Sequence, residues 1–476
     1  MNKPNVALVA PGSDTDLTTA SDLSDGLICS ASSIFDKAAV LAEITAGFAT
    51  VKSEKERRAV AVSVLDKARK AGLSAISAAF RAQPFAARPA TRAYSWLADQ
   101  VVCVVLETAT DWLHPLPNPT EGEKLTVIAV GGSGRGELAA HSDIDLLFLT
   151  PYKITPWAES VIESMLYMLW DLKLKIGHAS RTVKDCIRLA REDYTIRTSL
   201  VEYRFLAGDP ALGDELGQRL WSELFQSSAS DFIDAKLAER AERHRKQGGQ
   251  RYVVEPNVKE GKGGLRDLQS LFWISKYVND VKDAADLVGL GVFTNEEFET
   301  FITAEDFLWA VRCHLHLIAG RAMDQLTFDM QVEVAQAMGY RDHGGRRAVE
   351  HFMQAFFRLA SCVGELIRIF LTALEANHTK KQPMLVRLFK RRKSAKAPYA
   401  IKQNRLTVAD EAAFFADKLN MLRIFEEALR TGTLLHPDAM RLISANLTLI
   451  DDEMRKDIEA RRSFLDLLLK LGNPER

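Results

Sequence analysis

The sequence lacks the features that mark membrane, secreted and disulfide-linked proteins. No stretch approaches the roughly 20 apolar residues that a membrane-spanning helix needs. The N-terminus has no basic segment followed by an apolar core, so no signal peptide is predicted. The five cysteines are dispersed and form no Cys-x-x-Cys pair. This pattern indicates reduced thiols and a cytoplasmic protein rather than a disulfide framework or a zinc ribbon.

An excess of one charge is also missing. Lysine and arginine total 62 against 63 aspartates and glutamates, for a formal net charge of -1. A nucleic-acid binder usually presents a cationic surface to the phosphate backbone, so this balance argues against nucleic acid as a partner. The 476 residues, at about 150 residues per domain, predict two to four domains.

Composition and periodicity divide the chain into five regions. The class they predict is a mostly helical α+β fold. The regions are 1–33, a flexible arm; 34–115, a helical region of two or three helices; 116–230, strands around a glycine turn with helices; 231–378, a helical bundle; and 379–476, a basic linker and a C-terminal helical segment.

Two aspartates stand at the start of a predicted strand. Asp143 and Asp145 flank one residue where the apolar run 144–149 begins, and residues two apart in a strand point to the same face. The two carboxylates therefore converge and repel each other unless a cation lies between them. Mg²⁺ prefers oxygen ligands, so the pair predicts a magnesium site. Taken alone, the Asp-x-Asp pair could equally be a solvated strand end.

A glycine turn precedes the aspartates. The apolar β-branched run 125–130 predicts a buried strand that ends in Gly131, Gly132 and Ser133. Glycines allow close approach of the backbone to a phosphate, and a serine hydroxyl can donate to the same group. A glycine turn alone is a weak signal, but its spacing from the aspartates makes the combination specific.

Gly-Gly-Ser followed about ten residues later by Asp-hydrophobic-Asp resembles the nucleotidyltransferase superfamily that includes DNA polymerase β. A P-loop is excluded because GxxxxGK[ST] is absent. The resemblance implies a third carboxylate on a later strand. The predicted strand 175–181 offers His178 and Ser180 but no acid. Glu202 and Asp185 are candidates, although each is more typical of a helical ion pair, and the third acid stays open.

A second glycine-rich segment carries basic residues. Lys259, Lys262 and Arg266 lie within eight positions and are separated by glycines, and Arg266 opens the next predicted helix. A basic glycine loop at a helix start can clamp a triphosphate. The alternative is a solvated turn capped by Asp267.

Four segments together resemble the bacterial PII-protein uridylyltransferase/uridylyl-removing enzyme family, from about residue 35 to the end. They are GGSGRGEL with SDIDLLFL, GHASRTVKDCIRLAREDYTIRTSLVEYRFLAGD, EPNVKEGKGGLRDLQSLFWI, and FLWAVRCHLHLIAGRAMDQLTFDMQVEVAQAMGY. The resemblance implies a polymerase-β-like core that transfers UMP from UTP to a tyrosine hydroxyl of the PII nitrogen-regulatory protein, with release of pyrophosphate. Mg²⁺, or alternatively Mn²⁺, would be the metal.

The same resemblance implies roles for individual residues. Asp143 and Asp145 would be the catalytic metal ligands. The nucleotide-binding residues would be Gly131, Gly132, Ser133, Arg135, Lys259, Lys262 and Arg266. Glutamine synthetase adenylyltransferase has a similar glycine loop, so an adenylyltransferase acting on glutamine synthetase is one alternative. A non-catalytic, PII-binding regulatory fragment is another.

The chain also departs from the family. None of its ten histidines is followed by aspartate, and it stops at LDLLLKLGNPER, which is similar to the approach to the family's HD phosphohydrolase domain. The sequence is therefore expected to lack the uridylyl-removing site and the glutamine-sensing ACT domains.

Several other residues are predicted to be structural. His314 and His316 lie two apart in a helix, face different sides and make a poor metal pair. Trp170, Trp273 and Trp309 are expected in the core. The basic run 380–396 is expected to be a solvated linker, with phosphate or partner binding as the alternative.

Overall fold

A computed structural model describes residues 23–249, 252–279, 281, 285–378, 398–402, 405–431 and 433–471. The chain divides into two compact units, Met1–Leu287 with Asn295–Val363, and Val288–Thr294 with Gly364–Arg476. The fold is α+β and mostly helical, as predicted. The boundary after Val363 lies inside a long helix, whereas composition placed a boundary after residue 378.

Four helices precede the sheet. They are α1 (Ala31–Ile34), α2 (Lys37–Phe48), α3 (Glu54–Ala82) and α4 (Ala87–Glu107). A capping box between Ser53 and Glu56 starts α3. Helix α4 is buried along most of its length, and it ends in a π-helical turn before the proline-rich linker. The prediction of two or three helices in this region is confirmed by the three long helices α2, α3 and α4.

The predicted flexible arm is wrong for residues 23–33. Leu23 is 7% exposed, and its side chain fills the space beside Gly136, where an added Cβ would lie 2.8 Å from Leu23 Cδ2. An apolar anchor of this kind orders a polar segment that composition alone assigns to solvent. The remainder of the arm lies outside the described residues.

A four-stranded sheet has the order β3-β2-β1-β4. Strand β1 is antiparallel to β2 and to β4, and β2 is parallel to β3. The strands are β1 (Thr126–Ala129), β2 (Ile144–Thr150), β3 (Ile176–Thr182) and β4 (Arg204–Gly208). The first three strands were predicted. Strand β4 was not predicted.

Helices surround this sheet. Thr155 caps α6 and Pro156 occupies its first turn, as the sequence predicts. The helices are α5 (Gly131–Arg135), α6 (Pro156–Asp171), α7 (Val183–Glu192), α8 (Tyr194–Val201) and α9 (Pro210–Leu220). A π-helical turn, Trp221–Phe225, follows α9.

The rest of the first unit is helical and includes the glycine loop between α10 and α11. The helices are α10 (Ala229–Lys246), α11 (Leu265–Asn279), α12 (Asp286–Gly289), α13 (Asn295–Ala319), α14 (Phe328–Ala337) and α15 (Ala348–His378). Both α12 and α15 continue into the second unit.

The second unit has its own core around Phe414 and Leu406, which packs beneath an antiparallel hairpin. The hairpin strands are β5 (Tyr399–Lys402) and β6 (Arg405–Val408). The helices that follow are Glu411–Phe415, Asn420–Thr431, Pro437–Ala445, Asp452–Lys456 and Ile458–Leu471. The basic run 380–396 lies outside the described residues.

The structural expectations for single residues are largely confirmed. All five cysteines are free thiols. Trp273 and Trp309 are buried, but the core prediction is wrong for Trp170, which is 44% exposed at the end of α6. Among the described residues, no helix is long and apolar enough to cross a membrane.

Candidate functional site

The glycine turn joins β1 to α5 and is tied to the start of β2. The backbone N–H of Val130 donates to the carbonyl of Asp145 over 3.0 Å. The Asp145 N–H donates to Ser133 Oγ over 3.1 Å. Gly131 has φ +57°, a left-handed conformation that favours glycine. The Ser133 side chain is buried here, so its contribution is to fix the turn against Asp145. A role as phosphate donor stays a prediction.

A buried arginine holds the turn from behind. Arg204 on β4 forms a two-bond pair with Asp99 of α4, at 2.8 and 3.1 Å. It also donates to the carbonyls of Ser133, over 2.7 Å, and Gly134, over 3.2 Å. These contacts satisfy carbonyls at the end of a short helix and fix the height of the turn above the sheet. Sequence reasoning missed Arg204 because β4 was not predicted.

Two glycines flank the Asp145 carboxylate. In the parallel β2–β3 register Asp145 pairs with Gly177. A Cβ at Gly177 would lie 2.2 Å from Asp145 Oδ1, and a Cβ at Gly131 would lie 3.3 Å from Asp145 Oδ2. Within the described part of the chain no group donates a hydrogen bond to this carboxylate. Both oxygens are therefore left open to an added ligand.

The two aspartates form the predicted like-charge pair. Burial, followed by the charge of Asp143, raises the pKa of Asp145, while Lys259 and Arg135 oppose the rise. Asp143 is exposed. A divalent cation relieves this repulsion, and two carboxylates suit Mg²⁺, which commonly keeps water and substrate phosphates as its other ligands. Within the described ranges, no cluster of three or more His, Cys, Asp or Glu side chains could hold a metal.

The basic glycine loop is built by its own polar side chains. Asn257 Oδ1 accepts from the N–H groups of Lys259 and Glu260, at 3.0 and 2.7 Å. Gly263 has φ +82°, and its N–H donates to Asp267 Oδ2 over 2.9 Å. These bonds fold the loop sharply before α11 begins at Leu265. Arg266 therefore lies in the first turn of that helix, as predicted.

Lys259 extends from this loop toward the aspartates. Its ammonium is one of the charges that act on Asp145. Burial, together with the charges of Arg312 and Arg266, lowers the pKa of Lys259. No described side chain forms a hydrogen bond with its Nζ. Lys259, a half-buried cation of the basic glycine loop, is thus among the charged groups that act on Asp145 of the aspartate pair. A phosphate could neutralise its charge.

Arg266 and Arg135 already have protein partners. Arg266 contacts Glu260 over 3.4 Å and donates to Gln269 over 3.1 Å. Arg135 pairs with Glu137 over 2.8 Å and with the buried Glu202. Burial disfavours the charge of Arg135, yet Glu202 and Glu137 together raise its pKa. Nucleotide binding by Arg135, Arg266 and Lys262 stays a prediction. Lys262 lies in the basic glycine loop.

Asp267 does cap the glycine turn, but the turn is not solvated there. Its carboxylate is 0% exposed and accepts from three side chains of α10. The donors are Arg240 over 3.1 Å, Arg243 over 2.6 Å and His244 over 2.9 Å. Burial opposes ionisation, but these three groups outweigh it and hold the pKa of Asp267 below its ordinary value. Asp267 is therefore the internal anchor that joins the loop to α10.

Neither candidate for the third carboxylate is found beside the aspartates. Asp185 lies in the first turn of α7, where its carboxylate accepts from the hydroxyl of the Thr182 cap and pairs with Arg188, the helical role that the sequence favours. Glu202 ends α8 and faces Arg135. Burial raises the pKa of Glu202, against the opposing charge of Arg135. No described residue forms a hydrogen bond of normal geometry with Glu202 Oε1. The nearby Trp273 indole nevertheless favours the ionised form of Glu202.

A cavity of ≈ 270 Å³ opens on the β3 side of Asp145. Its lining includes Gly131, Asp145, Gly177, Ala179, Arg181 and Ser199. It exists because β3 carries glycine and alanine where it runs beside Asp145, so no large side chain fills the space. The Asp145 carboxylate thus has an open pocket at one side and Lys259 among its charged neighbours.

Comparison with known proteins gives three matching family models. GlnD PII-uridylyltransferase matches residues 231–371, and the third domain of uridylyltransferase GlnD matches residues 399–476. Glutamate-ammonia ligase adenylyltransferase matches residues 17–171, which contain the glycine turn and the aspartates.

Two similar relatives are bifunctional uridylyltransferase/uridylyl-removing enzymes. The one from Ruegeria pomeroyi is 62% identical over 443 residues, 93% of this chain and 49% of the relative. The one from Cereibacter sphaeroides is 60% identical over 458 residues, 95% of this chain and 49% of the relative. The chain belongs to this family over the family's N-terminal half. It spans about half the length of the curated relatives it matches.

The adenylyltransferase alternative is not favoured. Its family model covers the region around the glycine turn, whereas the uridylyltransferase/uridylyl-removing relatives match along almost the whole chain.

Proposed function

We propose that this chain transfers UMP from UTP to a tyrosine hydroxyl of a PII nitrogen-regulatory protein and releases pyrophosphate. The names of its relatives supply the reaction class. The observation that carries the proposal is that the charge of Lys259, in the basic glycine loop, acts on Asp145 of the aspartate pair. The two motifs are far apart in sequence, and one nucleotide with its metal could contact both.

The nucleotide would lie over the glycine turn. Gly131 takes a left-handed conformation, and the turn that it opens with Gly132 would present backbone N–H groups to a phosphate. Lys259 would neutralise the leaving pyrophosphate, since its ammonium has lost part of its hydration and forms no hydrogen bond with a described side chain. Asp143 and Asp145 would hold Mg²⁺, or alternatively Mn²⁺. When bound, the metal supplies charge neutralisation at the α-phosphate and favours the ionised form of the attacking hydroxyl.

The acceptor tyrosine would enter the cavity beside β3. In-line transfer requires the attacking oxygen and the leaving pyrophosphate on opposite sides of the reacting phosphorus. Lys259 marks the side of the triphosphate, and the cavity over Gly177 and Ala179 supplies an open approach to Asp145. Holding the two reactants in this geometry would account for most of the rate enhancement, because the reaction needs little covalent help from the protein.

The proposal is tested by incubating the chain with PII, labelled UTP and Mg²⁺, and with ATP in a parallel reaction. Label from UTP, and not from ATP, is expected on PII. Asp143→Asn and Asp145→Asn should each lower transfer at least about 100-fold, because even outer-sphere changes cost about 10- to 100-fold. Asp185→Asn is the matched control, since this partly exposed carboxylate lies in the first turn of α7 and pairs with Arg188. Transfer near the wild-type rate by either site variant would exclude the metal assignment.

A further inference from the structure

His316 connects the loop that carries Asp143 to the body of the first unit. It lies on α13 and is 0% exposed. Its Nδ1 accepts the backbone N–H of His141 over 3.3 Å. The two imidazole rings stack at 27° with centroids 6.3 Å apart. His141 precedes Asp143 by two residues, so this contact fixes the chain immediately before the metal-binding pair.

The other ring nitrogen of His316 faces a partly buried carboxylate. Because Nδ1 accepts, the ring proton is on Nε2, which lies 3.6 Å from Asp324 Oδ1. The Nε of Arg312 donates to the same oxygen over 2.7 Å. The 3.6 Å separation is too long for a hydrogen bond and makes this an electrostatic contact that orients the ring.

Asp324 in turn supports the glycine loop through the backbone. Its carbonyl accepts from Val258 N–H over 2.8 Å, and Leu326 N–H donates to the carbonyl of Pro256 over 2.9 Å. The segments 256–258 and 324–326 therefore form a short antiparallel contact directly before Lys259. Burial opposes ionisation of Asp324, but the contacts with His316 and Arg312, together with the charge of Lys259, hold the pKa of Asp324 below its ordinary value.

We propose that His316 is a positioning residue, which sets the distance between the Asp143 carboxylate and the Lys259 ammonium by holding their two loops on one helix. The inference rests on the proposed function, since the distance matters when one nucleotide must contact the metal pair and the cation together. The prediction that His316 is only a packed residue is incomplete. One of its ring nitrogens contacts His141, which precedes the aspartate pair, and the other contacts Asp324, which supports the basic glycine loop. A misplacement of about 1 Å at such a site can cost about 100-fold in rate.

Two near-isosteric substitutions separate the two faces of the ring. In His316→Asn, the amide oxygen can take the position of Nδ1 and keep the bond from His141 N–H. In His316→Gln, the terminal amide takes the position of Nε2 and the acceptor for His141 is lost. We expect His316→Gln to lower kcat for UMP transfer about 10- to 100-fold, the range typical of residues that orient metal ligands, and His316→Asn to restore most of it.

His314→Asn is the matched control. His314 is buried on the same helix, and its Nε2 contacts the carbonyl of Pro84 over 3.0 Å, on a different face. Its loss should lower the melting temperature and leave kcat unchanged. Equal kcat losses in His314→Asn and His316→Gln would overturn the proposal, because they would indicate loss of stability alone.

Amide hydrogen exchange supplies a readout that does not depend on activity. In the wild-type protein the His141 amide should exchange slowly, and in His316→Gln it should exchange faster while the amides of β1 remain protected. A rapidly exchanging His141 amide in the wild-type protein would overturn the proposal even if no variant folded. Failure of the wild type to transfer UMP would instead contradict the proposed function and leave the exchange result to decide the His316 contact.

Discussion

The substitution Asp267→Asn tests whether the glycine loop is anchored from inside the protein. The carboxylate is 0% exposed and accepts from Arg240, Arg243, His244 and the Gly263 N–H. An amide of the same size cannot accept from all of them and carries no charge. The Arg240 guanidinium would then be left partly buried without a counter-charge, and Arg243 would keep only its longer contact with Glu260, at 3.8 Å.

The expected cost follows from this geometry. Removing one partner of a buried ion pair typically costs about 3–5 kcal/mol, because the other charge remains buried and unpaired. The exposed pair of Asp185 with Arg188 is the control, and Asp185→Asn should cost less than about 1 kcal/mol. We therefore expect the unfolding free energy to fall by about 3–5 kcal/mol in Asp267→Asn.

Urea unfolding followed by tryptophan fluorescence measures this difference. All seven tryptophans lie in the first unit, so the signal reports the unit that contains Asp267. The low pKa of Asp267 means that its stabilisation is present above about pH 4, the ordinary carboxyl value, and is lost as the pH falls toward the lower folded-state value. The gap between wild type and variant should narrow on acidification. A cost below about 1 kcal/mol at neutral pH, as for an exposed pair, would refute the anchoring argument.

Three further predictions concern the site itself. Gly177→Ala should lower transfer at least about tenfold, because its Cβ would lie 2.2 Å from Asp145 Oδ1; Gly289→Ala, with open space around its Cβ, should leave transfer unchanged. Lys259→Met should raise the KM for UTP more than that for PII in steady-state assays, and the exposed Lys246→Met should change neither; equal effects of the two lysine variants would contradict the role of Lys259. Chelation by EDTA should abolish transfer, and Mg²⁺ should restore it; transfer that survives complete chelation would exclude a metal-dependent reaction.

The local parts of the fold could be predicted from the sequence. The strand that ends at Ala129, the glycine turn and the strand that carries Asp145 follow from short apolar runs and fixed spacing. The start of α6 follows from a threonine cap with proline in the first turn. In each case the determining residues lie within one or two turns of the element.

The parts that were missed depend on residues distant in the chain. Strand β4 is five residues long and is stabilised by the pair of Arg204 with Asp99, which no local pattern indicates. Gly177 lacks a turn signature, and its requirement appears only when β3 lies beside Asp145. The contact of His316 with His141 likewise joins two segments that are distant in the chain, and no local sequence pattern in either segment predicts it.

Trp170 shows the limit of an apolar pattern. It lies on α6 among apolar residues, but it falls on the outer side of the helix and contacts Tyr167 and His178 at the surface. Helical periodicity predicts the buried stripe of a helix but not where the stripe ends. The burial of a residue near its border depends on which neighbouring element covers it. The sequence therefore predicted the helix correctly and misjudged one of its faces.

The intact mass of PII after incubation with this chain, UTP and Mg²⁺ decides whether the chain transfers UMP. We expect a mass gain of one UMP per PII subunit, located on a tyrosine by peptide mapping, and no gain with Asp145→Asn. An unchanged PII mass with the folded wild-type chain would contradict it, as would modification by ATP in preference to UTP.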